Sequence, residues 1–196
     1  MIDESNGYEN IADLYIKGRG QAVDGIGSST VRVWARTFNS GSVVLDIGSG
    51  TGIPVTKILV EEGLSAYALD ASPKMIEAFR RNFPNVPVAC EPVEKSPFFN
   101  RSFDGIIAVG LVFLLSEESQ RALIPKMAAA LHTGGRLLFT APLHKVEWKD
   151  AMTEQLSRSL GAEQYRALIS SAGLSIVEEF DDEGGNHYFN VIRKDQ

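Results

Sequence analysis

The 196 residues, 44% hydrophobic and 22% charged, suit one globular α/β domain and exclude a disordered or fibrous chain. The 19 basic against 25 acidic residues leave a formal charge of −6, which repels a phosphate backbone, so nucleic acid is not expected as a partner. A single cysteine, Cys90, rules out an intrachain disulfide; it is expected as a buried thiol at a strand end, in a reducing, cytoplasmic setting.

The opening MIDESNGYEN is acidic and polar, whereas a secretory leader begins with positive charge and an apolar core, so none is expected. Residues 1–41 carry two helical patterns, IADLYIKG and SSTVRVWARTF, joined by a glycine-rich connection. They are expected to cap the carboxyl edge of a sheet formed by residues 42–196, the whole making one domain. Tyr15 and Arg19 stand about one helical turn apart and are candidates for substrate contact, with Tyr8 nearby.

From Ser42 onward, β-branched runs alternate with amphipathic stretches, the pattern of parallel strands joined by helical crossovers. Strands are read at SVVLDIG (42–48), SAYALD (65–70), VPVAC (86–90), FDGIIAVG (103–110) and RLLFTAP (136–142). Helices fall between them: Pro54 to Glu62; a second capped by Ser72 with Pro73 at its first position; and a third opened by Ser116 and stopped by Gly134–Gly135, with a kink or break expected at Pro125. LSIVEEF (174–180) and HYFNVIRK (187–194) flank the turn-rich DDEGGN and are expected to pair antiparallel at one edge. The fold expected is a doubly wound, mostly parallel seven-stranded sheet with an antiparallel last strand and helices on both faces. The longest apolar run, residues 106–115, falls well short of the roughly 20 residues that span a bilayer, so no membrane segment is expected.

The glycine loop carries the chemistry. In VVLDIGSGTG a strand runs directly into Gly48-Ser49-Gly50-Thr51-Gly52, where missing Cβ atoms let a ligand lie against the main chain. Asp70 ends the next strand 18 residues after Gly52, near the spacing of about 20 at which a carboxylate meets a ribose. Together these features describe a ligand containing a nucleoside. A dinucleotide fingerprint reads G-x-G-x-x-G, but here Ile53 stands where its last glycine would be.

VLDIGSGTG at residues 44–52 resembles the first motif of the class I S-adenosylmethionine-dependent methyltransferases, and the resemblance spans roughly residues 42–142 plus the terminal hairpin. It implies S-adenosylmethionine as cofactor, with Asp46 and the backbone from Gly48 through Ser49 and Gly50 to Gly52 at the methionine portion. Asp70 would take the ribose hydroxyls; Ala71, Ser72 and Met75 would line the adenine; Ala108 and Gly110 would face the cofactor. Where the family usually has an acidic residue after the third strand, CEPVEKSPFF has Pro92, so Glu91 or the backbone of Val93 and Glu94 would serve the adenine edge.

Methyl transfer from a sulfonium is an in-line displacement that mainly needs alignment and exclusion of water, so no catalytic triad is expected and no catalytic residue is assigned. His144 and Trp148, after the fifth strand, are candidates for substrate contact, with His144 also a possible base, whereas His187 reads as structural. The three histidines share no ligand spacing, so no metal site is expected. The reading is methyl transfer to a small-molecule acceptor; the alternatives are a non-catalytic S-adenosylmethionine-binding module and a nicotinamide-dependent oxidoreductase.

Overall fold

The computed structural model describes residues 3–194. Nine strands lie among them: β1 (Val43–Ile47), β2 (Ser65–Asp70), β3 (Val88–Cys90), β4 (Phe103–Ala108), β5 (Leu131–Thr140), β6 (Val146–Lys149), β7 (Leu156–Ser159), β8 (Leu174–Asp181) and β9 (His187–Arg193). The helices are α1 (Tyr8–Lys17), α2 (Ser28–Ala35), α3 (Val55–Glu61), α4 (Pro73–Asn82), α5 (Glu117–Ala130) and α6 (Ala162–Ser171). Seven strands form one sheet in the order β3-β2-β1-β4-β5-β9-β8, in which β9 alone runs against its neighbours; β6 and β7 form a separate hairpin. The seven-stranded doubly wound sheet with an antiparallel last strand is therefore as the sequence predicts.

Strand alternation sends side chains to two cores. Leu45, Ile47, Ile106, Leu137 and Phe139 face α5 and α6, where Leu123, Ile124, Met127, Tyr165 and Ile169 cover them. Val44, Ile107, Leu138 and Tyr188 face the opposite way, toward Val31 and Trp34 of α2 and Ile58 and Leu59 of α3. Burial on both faces explains why the central strands read as continuous apolar runs.

Several expectations need correction. Only α1 and the turn after it lie over the carboxyl edge; α2 is part of a helical layer, packed on the sheet and bridged to α3 by Arg32, which reaches Glu61 at 2.8 Å and Glu62 at 2.7 Å. Helix α5 runs unbroken through Pro125. Cys90 is exposed, because β3 is a three-residue edge strand with no neighbour on its outer side. Strand β5 begins at Leu131, and a register shift separates the Phe103–Leu131 pair from the Gly105–Arg136 pair. The β6–β7 hairpin and α6 lie in a stretch for which no elements were predicted, although Ala162, Tyr165 and Ile169 are spaced for one helix face between Gly161 and Gly173.

The loop after β1 needs its glycines for two reasons. Gly48, Gly50 and Gly52 have φ of +73°, +55° and +82°, a region that L side chains rarely adopt. A Cβ on Gly52 would also stand 2.5 Å from the Phe83 ring and 2.8 Å from that of Phe79. Gly52→Ala is therefore expected to destabilise the fold by roughly 2–4 kcal/mol, read as a lowered urea midpoint at unchanged slope; an unchanged midpoint would show that the loop and α4 relax freely.

Candidate functional site

A cavity of about 510 Å³ opens at the carboxyl ends of the parallel strands. Such crevices are where open α/β sheets take ligands, because loops diverge at the point where strand order reverses, here between β1 and β4. The glycine loop forms its floor. Gly48 and Ser49 both donate their N–H to the Leu69 carbonyl, at 2.9 and 3.0 Å, and the Thr51 hydroxyl donates to the Gly20 carbonyl at 2.8 Å. The first of these contacts ties the loop to β2, the second to the turn after α1.

Asp70 stands at the centre of this arrangement. One carboxylate oxygen accepts the Gly50 N–H at 2.9 Å and the other the Ser72 N–H at 2.8 Å, which leaves each oxygen capacity for a further donor. Burial raises its pKa despite the lowering effect of these backbone hydrogen bonds. Asp46, 2% exposed at the end of β1, accepts the Thr56 hydroxyl at 2.6 Å; burial pushes its pKa up to about 7. A buried carboxylate with so little compensation suits a cationic ligand group.

The remaining walls come from several elements. Ala71 and Met75 follow Asp70 on one side, with Glu91, Val93 and Glu94 beyond. Lys126 of α5 fixes that loop by donating to the Val93 carbonyl at 2.6 Å and the Glu94 carbonyl at 3.1 Å. Gly110 lies opposite, its N–H donated to the Thr140 hydroxyl at 2.8 Å. Tyr15 and Arg19 also line the cavity, the Tyr15 ring being 3.8 Å from where a Cβ on Gly50 would stand. They flank the glycine loop, not a separate substrate chamber.

Four predicted site residues lie elsewhere. Gly52 packs beneath the loop against Phe79 and Phe83. The Ser72 hydroxyl accepts the Met75 N–H as the α4 cap and donates to Glu9 of α1 at 2.5 Å, so it is structural. Ala108 is fully buried in the core. His144 is exposed in a separate depression beside Arg121 and Lys145, because the chain leaves β5 away from the cavity. Trp148 reaches the cavity only indirectly, packing 5.5 Å from Phe113, which lines it. His187 is buried between Asp181 at 2.7 Å and Glu179 at 3.4 Å and is not part of the cavity wall.

Other lining residues escaped the sequence reading, among them Asn6, Phe113, Asp150 and Tyr188. Nothing in their local sequence marks them; the packing of the hairpin and amino-terminal turn onto the sheet brings them together. Tyr8, a minor sequence candidate, sits beside Asp150, and burial, then the Asp150 charge, push its pKa up to about 12.

Comparison with known proteins agrees with this geometry. The family model described as a methyltransferase domain matches residues 44–135. An uncharacterised methyltransferase of Anoxybacillus flavithermus is 30% identical over 153 residues, covering 78% of this chain and 65% of that protein. One from Mycobacterium tuberculosis is 35% identical over 94 residues, 48% of this chain and 37% of that protein. The chain thus spans less than two thirds of either relative. Among solved structures, an N-methyltransferase from Bradyrhizobium japonicum in complex with S-adenosylhomocysteine has a TM-score of 0.75 at 17% identity, covering 97% of this chain and 100% of that one. The 1,6-didemethyltoxoflavin-N1-methyltransferase of Burkholderia thailandensis has a TM-score of 0.73 at 19% identity, covering 95% and 86%. At such identities the structures establish the shared fold.

Asp46 makes the ligand-free protein sensitive to pH. Its folded-state pKa lies above that of an unfolded aspartate, near 4, so the folded form holds the extra proton between these values. The stabilisation is present below about pH 4 and is lost as pH rises through about 7. Asp46→Asn is expected to gain stability relative to the parent between pH 5 and pH 8, by on the order of a few kcal/mol. Urea melts of both proteins at the two pH values check this; parallel pH profiles would remove the assignment.

Proposed function

We propose that the chain is a class I S-adenosylmethionine-dependent methyltransferase that transfers the methyl group of S-adenosylmethionine to a small-molecule acceptor. The observation that carries this is the placement of Asp70, each oxygen held by one backbone N–H and turned to the same cavity as the open glycine loop. A carboxylate so held has acceptor capacity for both hydroxyls of a vicinal diol.

The residues present fit the whole cofactor. Ser49 Oγ is buried without a hydrogen-bond partner among the described residues, in the wall of the cavity. A Cβ on Gly110 would meet nothing within 4 Å, so the backbone there is open to a ligand. Asp46 would hold the amino group of the methionine portion, and Arg19, the one basic side chain in the wall among the described residues, its carboxylate. Ala71 and Met75 would pack on the purine, and Glu91 with the backbone of Val93 and Glu94 would meet its polar edge.

Bound there, S-adenosylmethionine supplies a methyl group already activated by positive charge on sulfur. The protein's share is alignment and exclusion of water, which in well-oriented systems is worth roughly 7–11 kcal/mol. Tyr8 and Tyr15, whose rings meet edge to face at 5.9 Å, close the cavity over the glycine loop. Its limited volume favours a small acceptor, and its acid-rich wall disfavours nucleic acid. A cytoplasmic location belongs to the same reading, supported by the lone cysteine. No helix among the described residues is long and apolar enough to cross a membrane.

Calorimetric titration should show micromolar binding of S-adenosylmethionine and S-adenosylhomocysteine and none of NADH. Absence of both sulfur ligands would overturn the proposal, and NADH binding would favour the oxidoreductase. Asp70→Ala should weaken cofactor binding about tenfold or more, since a hydrogen bond to a charged acceptor is worth roughly 1.5–3 kcal/mol. Release of S-adenosylhomocysteine with an acceptor panel separates an enzyme from a binding module.

A further inference from the structure

We propose that the acceptor is a small amine-bearing molecule, a cation at neutral pH, seated against Asp150 in the wall shared by Tyr8 and the turn between β6 and β7. This rests on the assignment of the glycine-loop side to S-adenosylmethionine.

Asp150 belongs to an element outside the seven-stranded sheet. Its Oδ1 accepts the Met152 N–H at 3.0 Å, the Thr153 N–H at 2.8 Å and the Thr153 hydroxyl at 3.2 Å. The turn is braced against the amino-terminal segment: a Cβ on Gly7 would stand 3.0 Å from both Gln155 and Thr153. The carboxylate is thus held in place while Oδ2 has no hydrogen-bond partner, and no basic side chain pairs with it, among the described residues.

The other charged residues of the wall have assigned places. Asp46 and Asp70 serve the cofactor, Arg19 meets the cofactor's carboxylate beside the glycine loop, Glu91 and Glu94 lie at the purine edge, and Glu4 is paired with Lys95. Asp150 is left as a fixed negative charge on a wall that also holds the Tyr8 and Phe113 rings, with Phe113 backed by Trp148. Aromatic faces and a carboxylate together favour an organic cation over an anion or a neutral molecule. Asn6 Nδ2, in the same wall, is buried without a partner among the described residues and supplies a donor for an oxygen of the ligand.

The arrangement also suits the reaction. The bound ammonium must first release one proton to solvent; the N–C bond then forms as the S–C bond breaks, and sulfur leaves as a neutral thioether. Positive charge passes from sulfur to nitrogen, so a fixed carboxylate near the nitrogen is favoured more as transfer proceeds.

The test uses protein saturated with S-adenosylhomocysteine, titrated with 2-phenylethylamine, 2-phenylethanol and 3-phenylpropionate. Asp150→Asn is the paired variant, since it keeps an Oδ1 acceptor for the turn and removes the charge. The amine should bind about tenfold or more tightly than either of the others, and the variant should lose this preference while binding S-adenosylhomocysteine normally. Stronger binding of the carboxylate, equal binding of the alcohol, no binding of the amine, or a preference that survives in Asp150→Asn would each overturn the proposal. Failure of S-adenosylhomocysteine to bind the parent protein would overturn the cofactor assignment, and this inference with it.

Discussion

The hydrogen bonds accepted by Asp70 hold the site together. Through the Gly50 N–H the carboxylate fixes the loop that follows β1, and through the Ser72 N–H it fixes the start of α4. Ser72 in turn caps α4 and donates to Glu9, which also accepts the Lys74 N–H at 3.1 Å, so α1 is docked on the same cluster. One strand end therefore sets the positions of the floor, one wall and the covering helix. The arrangement costs desolvation of a carboxylate, only partly offset by backbone donors, and a ligand with hydroxyls to give completes the compensation.

The cavity's electrostatics follow from a division of labour between local sequence and tertiary packing. Asp46 and Asp70 lie at strand ends next to a glycine loop, so their role can be read from neighbouring residues. Asp150, Asn6 and Phe113 come from segments far apart in the chain and become one wall only after the hairpin settles against Gly7. One side of the cavity is thus written in a motif, and the other in a tertiary arrangement.

This difference explains what the sequence made legible. The central strands were readable because burial on both faces demands apolar runs, the β8–β9 pair because its strands flank the turn-rich DDEGGN, and the α4 start because Ser72-Pro73 satisfies both cap and first-turn chemistry. The β6–β7 hairpin was not, since VEWK and LSRS are short and polar and depend on tertiary support. Helix α6 did carry a periodic signal in Ala162, Tyr165 and Ile169. His144 was misplaced because a polar loop after a strand has no direction until the chain's exit is known. Cys90 was read as buried because a free cysteine usually behaves as a small hydrophobe, but strand order makes it an edge.

The position of β9 has a bearing on how the protein is made. It lies inside the sheet, between β5 and β8, although it follows both in the chain, and supplies Tyr188 to one core and Phe189 to the other. Until residues 187–193 are available, β5 presents an unpaired edge and both cores lack an aromatic ring, so the nascent chain exposes apolar surface to aggregation. Pairing β5 with β9 across some fifty intervening residues is a non-local contact with a high loop-closure cost, so the sheet is not completed strand by strand along the chain.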